Sequence, residues 1–212
     1  LDVDVVMSRA EMAMYAAKQS QSGYVTYHSG LDSTSEESLT LISELRTAID
    51  KDELRVYLQP KVNIKTNQVV GAEALVRWQH PTRGMVPPMK FIPFAEQTGF
   101  IRQITIWMLE QVAQSCAKLQ DQGLDMKISV NLSTRDLMDQ DLPSKIERIL
   151  SQHSTAARSL VMEITESAIM TDPIRALSVL TRLNAMGVRL AIDDFGTGYS
   201  SLAYLKQLPV DT

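Results

Sequence analysis

Apolar residues alternate with other residues along several short stretches of the chain, and this period of two is typical of β-strands. Residues 188–192 show the pattern well, because Val188, Leu190 and Ile192 fall at every second position. Turn-forming residues bound each stretch. The strands predicted in this way cover residues 54–60, 69–78, 126–133, 160–167 and 188–192.

Apolar residues at intervals of three and four predict helices between these strands. Gly123 ends one helix as a C-cap, and Asp172 with Pro173 begins another as an N-cap and first-turn pair. The predicted helices cover residues 8–18, 39–49, 91–97, 101–122, 143–151 and 172–187. Strands that alternate with helices predict a mostly parallel sheet covered by helices.

The first two strands of this sheet are expected to be antiparallel. They are joined by a short connection with a turn around Thr66 and Asn67, which favours a hairpin. Pro60 is expected to end the first strand, with Gln59 near its end. Before this sheet, residues 24–28 follow Gly23 and are predicted to form a short β segment.

Polar groups occur where several predicted strands end. Asp193 and Asp194 are adjacent carboxylates directly after an apolar strand, and like charges this close favour a bound cation. Asn131, Glu163 and Asp193 follow each other at steps of 32 residues (131 to 163) and 30 residues (163 to 193). These steps are close to the size of a βαβ unit. Because such units gather their strand ends on one face, we expect the groups to converge there, together with Glu73.

The chemistry of these groups favours a hard cation. All of them offer oxygen, and none of His28, His80 and His153 lies in a motif. Oxygen ligands select Mg²⁺ or Mn²⁺ over zinc or copper. An aspartate pair can bridge two such ions about 3.5–4 Å apart, an arrangement that suits hydrolysis of a phosphodiester.

Each of these residues also has a purely structural interpretation. Glu73 has helix-favouring neighbours and would then be an exposed helix residue. Asn131 would be a turn former, and Glu163 a salt-bridge partner. The glycines at 196 and 198 would form a plain turn. The two aspartates are the hardest to explain structurally, because an exposed loop needs no apolar strand leading into it.

Composition limits the classes of protein to which the chain can belong. With 212 residues and 44% hydrophobic content, the chain can bury the core of one domain or slightly more. Its net charge of −4 does not favour binding to DNA or RNA. A single cysteine, Cys116, excludes an intrachain disulfide framework and suits a reducing compartment. We expect a cytoplasmic domain that is an excerpt of a longer protein, since the chain begins with Leu1 and ends at Thr212.

Four motifs in this order carry a resemblance to a known family: EALVRW (73–78), SVNLS (129–133), EITES (163–167) and DDFGTGYSSL (193–202). Together they resemble the EAL family of bacterial cyclic-di-GMP phosphodiesterases. The resemblance implies an α/β fold, a modified TIM-type (β/α)8 barrel with an antiparallel first strand. With five barrel strands predicted, we expect the barrel to be truncated at its C-terminal side within residues 39–212.

The resemblance also implies roles for individual residues. One metal site would be formed by Glu73, Asn131, Glu163 and Asp193, and a second by Asp193 with Asp194. Mg²⁺ or Mn²⁺ would occupy this two-metal site, with Glu73, Asp193 and Asp194 as catalytic residues, and the product would be linear pGpG.

Further roles concern the substrate and the dimer. Arg77 would contact a substrate phosphate, although pairing with Glu73 is its alternative, and Gln59 and Leu75 would contact a guanine. Glu166 would anchor the loop 196–201, which in the family couples dimerisation to the active site. A homodimer is therefore expected.

The N-terminal residues carry a second resemblance. Residues 10–18, AEMAMYAAK, resemble the last helix of a GGDEF diguanylate cyclase-like domain. We therefore expect residues 1–29 to be the C-terminal end of such a domain and 30–38 a polar linker, with sensory domains further upstream. Any tethering to the inner membrane would come from domains outside the chain.

Two functions from different classes are compatible with the sequence. The first is a cyclic-di-GMP phosphodiesterase, which the intact metal-ligand positions favour. The second is a catalytically silent cyclic-di-GMP receptor or dimerisation module. A lysine shortly beyond Thr212, as the family's enzymes have, would favour the first.

Overall fold

The structure is a computed structural model that describes residues 3–20, 23–28, 40–41, 43–194 and 208–210. The chain divides into two compact units, Leu1–Ala48 and Ile49–Thr212. Within the parts that the structure describes, no helix combines the length and hydrophobicity needed to cross a bilayer.

The first unit contains helix α1, Val3–Ser20. It confirms the helix predicted from its alanines and methionines, and it is longer at both ends. The guanidinium carbon of Arg9 lies 4.8 Å from the ring centroid of Tyr27. Residues 24–28 are not a strand, so that prediction is wrong. A strand needs a paired neighbour, and no described strand pairs with this segment. Residues 43–48 are helical, as predicted.

Within the described residues, the second unit is built on a six-stranded sheet. Its strands are β1 (Leu54–Asn63), β2 (Gln68–His80), β3 (Gly84–Val86), β4 (Lys127–Leu132), β5 (Leu160–Thr165) and β6 (Arg189–Asp193). Their order is β1-β2-β4-β5-β6, with β3 paired to β2. Strands β2, β4, β5 and β6 are parallel, while β1 and β3 run antiparallel to β2. The five predicted strands are confirmed, and the short β3 is an addition.

The β1–β2 hairpin confirms the predicted antiparallel start. Asn67 takes a left-handed conformation (φ 53°), and its N–H donates to the carbonyl of Asn63 at 2.7 Å. Pro60 does not end β1, as was predicted, but pairs with Ala72 inside it. Proline is tolerated there because β1 is an edge strand of the described sheet, where a missing N–H costs no ladder bond.

Helices follow the strands along the chain. They are α2 (Pro88–Thr98), α3 (Ile101–Asp121), α4 (Thr134–Leu137), α5 (Leu142–Gln152), α6 (Glu166–Met170) and α7 (Pro173–Ala185), with a 3₁₀ turn at Ala157–Ser159. The four longer ones were predicted to within a few residues. The short helices α4 and α6 were not predicted, because four or five residues carry too little periodicity.

One face of the sheet is packed into the hydrophobic core. It carries fully buried aliphatic side chains such as Ile128, Met162 and Leu190. Trp78 at the end of β2 is also fully buried, packs edge-on against Phe91 with ring centroids 5.6 Å apart, and donates from Nε1 to Glu53. Successive strand residues point to opposite faces, so the residues next to these aliphatics face the other way.

Candidate active site

The opposite face of the sheet collects the predicted functional residues. Across neighbouring strands, Gln59 lies opposite Glu73, Asn131 opposite Glu163, and Thr165 opposite Asp193. Since residues two apart in a strand share a face, the register places the predicted residues that lie within the strands on one face. This face carries Gln59, Glu73, Leu75, Arg77, Asn131, Glu163 and Asp193.

Two of these residues are in direct contact. Asn131 donates from Nδ2 to Glu73 Oε1 at 2.8 Å, which links β4 to β2. Asn131 is exposed at the end of β4, and Glu73 is half-buried in β2. Glu73 is therefore a strand residue, and its interpretation as an exposed helix residue is wrong.

Glu163 is held by a lysine that was not among the predicted residues. The carboxylate is buried, with 9% of the residue exposed, and Lys61 Nζ donates to its Oε1. The same ammonium donates to Ser129 Oγ at 2.9 Å. Lys61 comes two residues after Gln59 and so shares its face. Strand periodicity would have found it if β1 had been extended through Pro60.

The aspartate pair ends β6. Asp193 is the last residue of the strand, and Asp194 follows it in a left-handed conformation (φ 54°) that short polar side chains tolerate. The N–H of Asp194 donates to Asp193 Oδ1 at 2.9 Å. Both residues are exposed. The backbone therefore bends at Asp194, directly after the strand.

The side-chain oxygens of the predicted ligands suit a hard cation, because they are of the ligand type that such cations prefer. They also share one face of the sheet, toward the carboxyl ends of its parallel strands. Among the described residues, no three His, Cys, Asp or Glu side chains form a cluster at metal-ligand spacing. Instead, Asn131 contacts Glu73 and Lys61 contacts Glu163. The residues present are chemically suited to bind a divalent cation. In this structure, one oxygen of Glu73 and one of Glu163 accept hydrogen bonds from nitrogen donors.

A cavity of about 300 Å³ lies where β2 and β4 meet helices α2 and α3. Leu75 and Arg77 line it from β2, and Asn131 lines it from β4. Arg77 donates from Nη1 to its neighbour's carbonyl, at Val76, and its guanidinium carbon lies 5.8 Å from the ring centroid of Tyr57. Within the described part of the chain Arg77 forms no ion pair with Glu73, so the alternative pairing is not found.

Comparison with known proteins assigns the family. The family model that describes the EAL domain matches residues 42–212 of the sequence. The chain belongs to the EAL domain family. The bifunctional diguanylate cyclase/cyclic di-GMP phosphodiesterase MucR of Pseudomonas aeruginosa is 41% identical over 206 residues, which cover 96% of the chain and 30% of that relative. Cyclic di-GMP phosphodiesterase PdeR of Escherichia coli is 35% identical over 211 residues, which cover 99% of the chain and 32% of the relative.

Solved structures show the same fold for this EAL domain. A complex of the MucR phosphodiesterase with c-di-GMP is similar with a TM-score of 0.77 and 42% identity, over 81% of the chain and 70% of that structure. The EAL enzyme Bd1971 in its cGMP-bound form is similar with a TM-score of 0.77 and 30% identity, over 84% of the chain and 50% of that structure. The predicted TIM-type α/β fold is confirmed. The chain spans about a third of the length of MucR and of PdeR.

A buried carboxylate outside the predicted set shapes the EAL domain next to Asn131. Asp136 Oδ2 accepts hydrogen bonds from the N–H and hydroxyl of Ser133, at 2.8 and 2.6 Å, and from Thr105 Oγ1 at 3.0 Å. Burial raises the pKa of Asp136, although these hydrogen bonds oppose the rise. The spacing Ser-x-x-Asp is that of a capping box and would have predicted the start of α4.

Glu96 is an acidic residue that lines the cavity. Its pKa is raised by burial and by the charge of Asp136. The two carboxylates are therefore close enough for their charges to repel each other.

Glu166 is placed by the end of β5. It is the first residue of α6 and is buried, with 3% exposed. The preceding Thr165 caps the helix by accepting from the N–H of Ala168. The loop 196–201 that Glu166 is predicted to anchor lies outside the described residues, so this role stays a prediction.

Proposed function

We propose that the protein carrying this EAL domain hydrolyses cyclic-di-GMP to linear pGpG in a reaction that depends on divalent cations. The observation that carries the proposal is the shared face of the sheet, where Glu73, Asn131 and Glu163 lie on neighbouring strands. The names of MucR and PdeR as cyclic di-GMP phosphodiesterases support the substrate and the reaction.

In this proposal Mg²⁺ or Mn²⁺ is held at two sites. Glu73, Asn131, Glu163 and Asp193 provide oxygen ligands to the first site, and Asp193 with Asp194 provides those of the second. When bound, the ions supply a nucleophilic hydroxide near neutral pH and stabilise the charge on the leaving oxygen. The chain contributes the fixed positions of the ligands, since three of them are on paired strands.

The substrate is bound by residues beside the metal ligands. Arg77 contacts a phosphate, because its planar guanidinium carries a permanent charge and matches phosphate oxygens. Packing against Tyr57 limits the orientations of that guanidinium. Leu75 and Gln59 contact a guanine on the same face.

Several features of the whole protein belong to the same proposal. Residues 1–29 are the end of a GGDEF-like domain, and 30–38 a linker to the EAL domain. Loop 196–201, anchored by Glu166, couples a homodimer to the active site. The protein works in the cytoplasm and takes its input from domains outside this chain.

The experiment is turnover of cyclic-di-GMP by the full-length protein, followed chromatographically with Mn²⁺ and with EDTA in parallel. We expect linear pGpG with Mn²⁺ and none with EDTA. If the folded protein binds cyclic-di-GMP but releases no product in either condition, the phosphodiesterase proposal fails and the silent-receptor function takes its place.

A further inference from the structure

Lys61 joins three strands of the sheet through one ammonium group. It extends from β1 and donates to Glu163 on β5 and to Ser129 on β4. Its side chain is 42% exposed, whereas that of Glu163 is 11% exposed. A carboxylate buried to this degree is costly without a partner. Among the residues that the structure describes, Lys61 is the cation that pairs with it.

The register shows where this ammonium is held. Lys61 pairs with Gly71, two residues before Glu73 in β2. Its second acceptor, Ser129, lies two residues before Asn131 in β4. Ser129 is also the residue that pairs with Glu73 across β4 and β2. The ammonium is therefore held beside the proposed ligands, in direct contact with Glu163 and next to the register position of Glu73.

The contact also makes the two carboxylate oxygens of Glu163 different. Lys61 donates to Oε1, and no hydrogen bond to Oε2 occurs within the described part of the chain. One oxygen is thus fixed by a charge-assisted hydrogen bond while the other is left for a ligand on the same face. Groups that hydrogen-bond to a metal-ligating carboxylate orient it and strengthen metal binding.

We propose that Lys61 is a positioning residue for Glu163: it fixes Oε1 so that Oε2 is presented to a divalent cation. The inference rests on the proposed metal-dependent function and deepens it. The direction in which metal affinity changes on replacing Lys61 tests it, because a lysine that merely competed with the metal ion for Glu163 would have the opposite effect on that affinity. Removing a competitor tightens metal binding, whereas removing a positioning group weakens it.

The test is a calorimetric titration of Mn²⁺ into the full-length protein without substrate. In Lys61→Met, which keeps the length and packing of the side chain, we expect the Kd for Mn²⁺ to rise about 10–100-fold. Lys61→Arg keeps a donor and should recover part of this loss. Lys65→Met is the matched control, since Lys65 is exposed in the β1–β2 turn and should leave the Kd unchanged.

Ser129→Ala is a second, independent variant, because it removes the other anchor of the ammonium and should weaken Mn²⁺ binding by less. Unchanged or tighter Mn²⁺ binding in Lys61→Met would overturn the inference. If Lys61→Met does not fold, an unchanged Kd in Ser129→Ala overturns it equally. If the unsubstituted protein binds no Mn²⁺, the metal-dependent function fails as well, so the two failures are told apart.

Discussion

Asn131 and Glu73 are joined by a hydrogen bond of 2.8 Å between strands β4 and β2, although they lie 58 residues apart in the chain. The bond is formed at the exposed edge of the face that carries the other proposed ligands. It shows that the parallel register brings two oxygen-bearing residues into contact without any sequence proximity. Under the proposed function, Asn131 both orients Glu73 and contributes its own amide oxygen to the metal site.

Replacing Asn131 should therefore affect metal binding far more than folding. In Asn131→Ala we expect Mn²⁺ affinity to fall about 10-fold or more, because a ligand and the orienting bond to Glu73 are both lost. The free energy of unfolding should change by about 0.5 kcal/mol or less, since the side chain is exposed. Calorimetric titration and urea denaturation measure the two effects. Gln79→Ala, at an exposed position of β2, should change neither; a stability loss with unchanged Mn²⁺ affinity in Asn131→Ala would contradict the prediction.

Gly71 should not tolerate a side chain. A Cβ built there would lie 2.7 Å from the backbone oxygen of Lys127, where β2 and β4 approach each other. Gly71→Ala forces the two strands apart two residues before Glu73, and we expect a loss of about 1–3 kcal/mol in the free energy of unfolding. Urea denaturation measures it, with Gln68→Ala in the same strand as the control. Equal stabilities of the two variants would show that the strands can separate without cost.

Asp136 should give the stability of the protein a distinctive pH dependence. Its pKa is raised above 3.8, chiefly by burial. At a pH between 3.8 and the raised pKa, the folded protein therefore binds more protons than the unfolded chain. The contribution of Asp136 is therefore fully present below pH 3.8 and is lost as the pH rises through the raised pKa. Relative to the unsubstituted protein, Asp136→Asn should become progressively more stable as the pH increases. Urea denaturation at a series of pH values measures this difference.

Asp139 is the matched control because its shift has the opposite sign. Burial would raise its pKa, but hydrogen bonds from Lys145 and from the Asp141 N–H outweigh it and lower the pKa below 3.8. Its contribution is present above pH 3.8 and is lost as the pH falls through the lowered pKa. Asp139→Asn should thus become relatively less stable as the pH rises. If the stabilities of the two variants, each relative to the unsubstituted protein, change in the same direction with pH, at least one of the two assignments is wrong.

The sheet and the face of its functional residues were predictable from the sequence for a simple physical reason. Strand periodicity fixes which residues share a face, so the hydrophobic pattern alone could place Asn131 and Glu163 together. The parallel arrangement followed from the alternation of strands and helices. Residues 24–28 show the limit of this reasoning, because a short segment predicted to be β does not show whether a pairing partner exists.

The pairings between side chains could not be predicted in the same way. Lys61 was missed because Pro60 was expected to end β1, whereas an edge strand accepts a proline. The contact between Lys61 and Glu163 depends on the register of strands 102 residues apart, which local patterns do not contain. Asp136 was different, since its capping-box spacing from Ser133 was a usable local signal.

Under the proposed function, the face of the sheet that bears Glu73 performs metal-dependent hydrolysis of cyclic-di-GMP. The most direct test is the rate of linear pGpG formation with saturating Mn²⁺ by the full-length protein, beside Glu73→Gln and the exposed-surface control Glu147→Gln. We predict a fall of about 100-fold or more in Glu73→Gln, because a charged ligand becomes a neutral amide, and an unchanged rate in Glu147→Gln. Turnover in Glu73→Gln equal to that of the unsubstituted protein would contradict the claim.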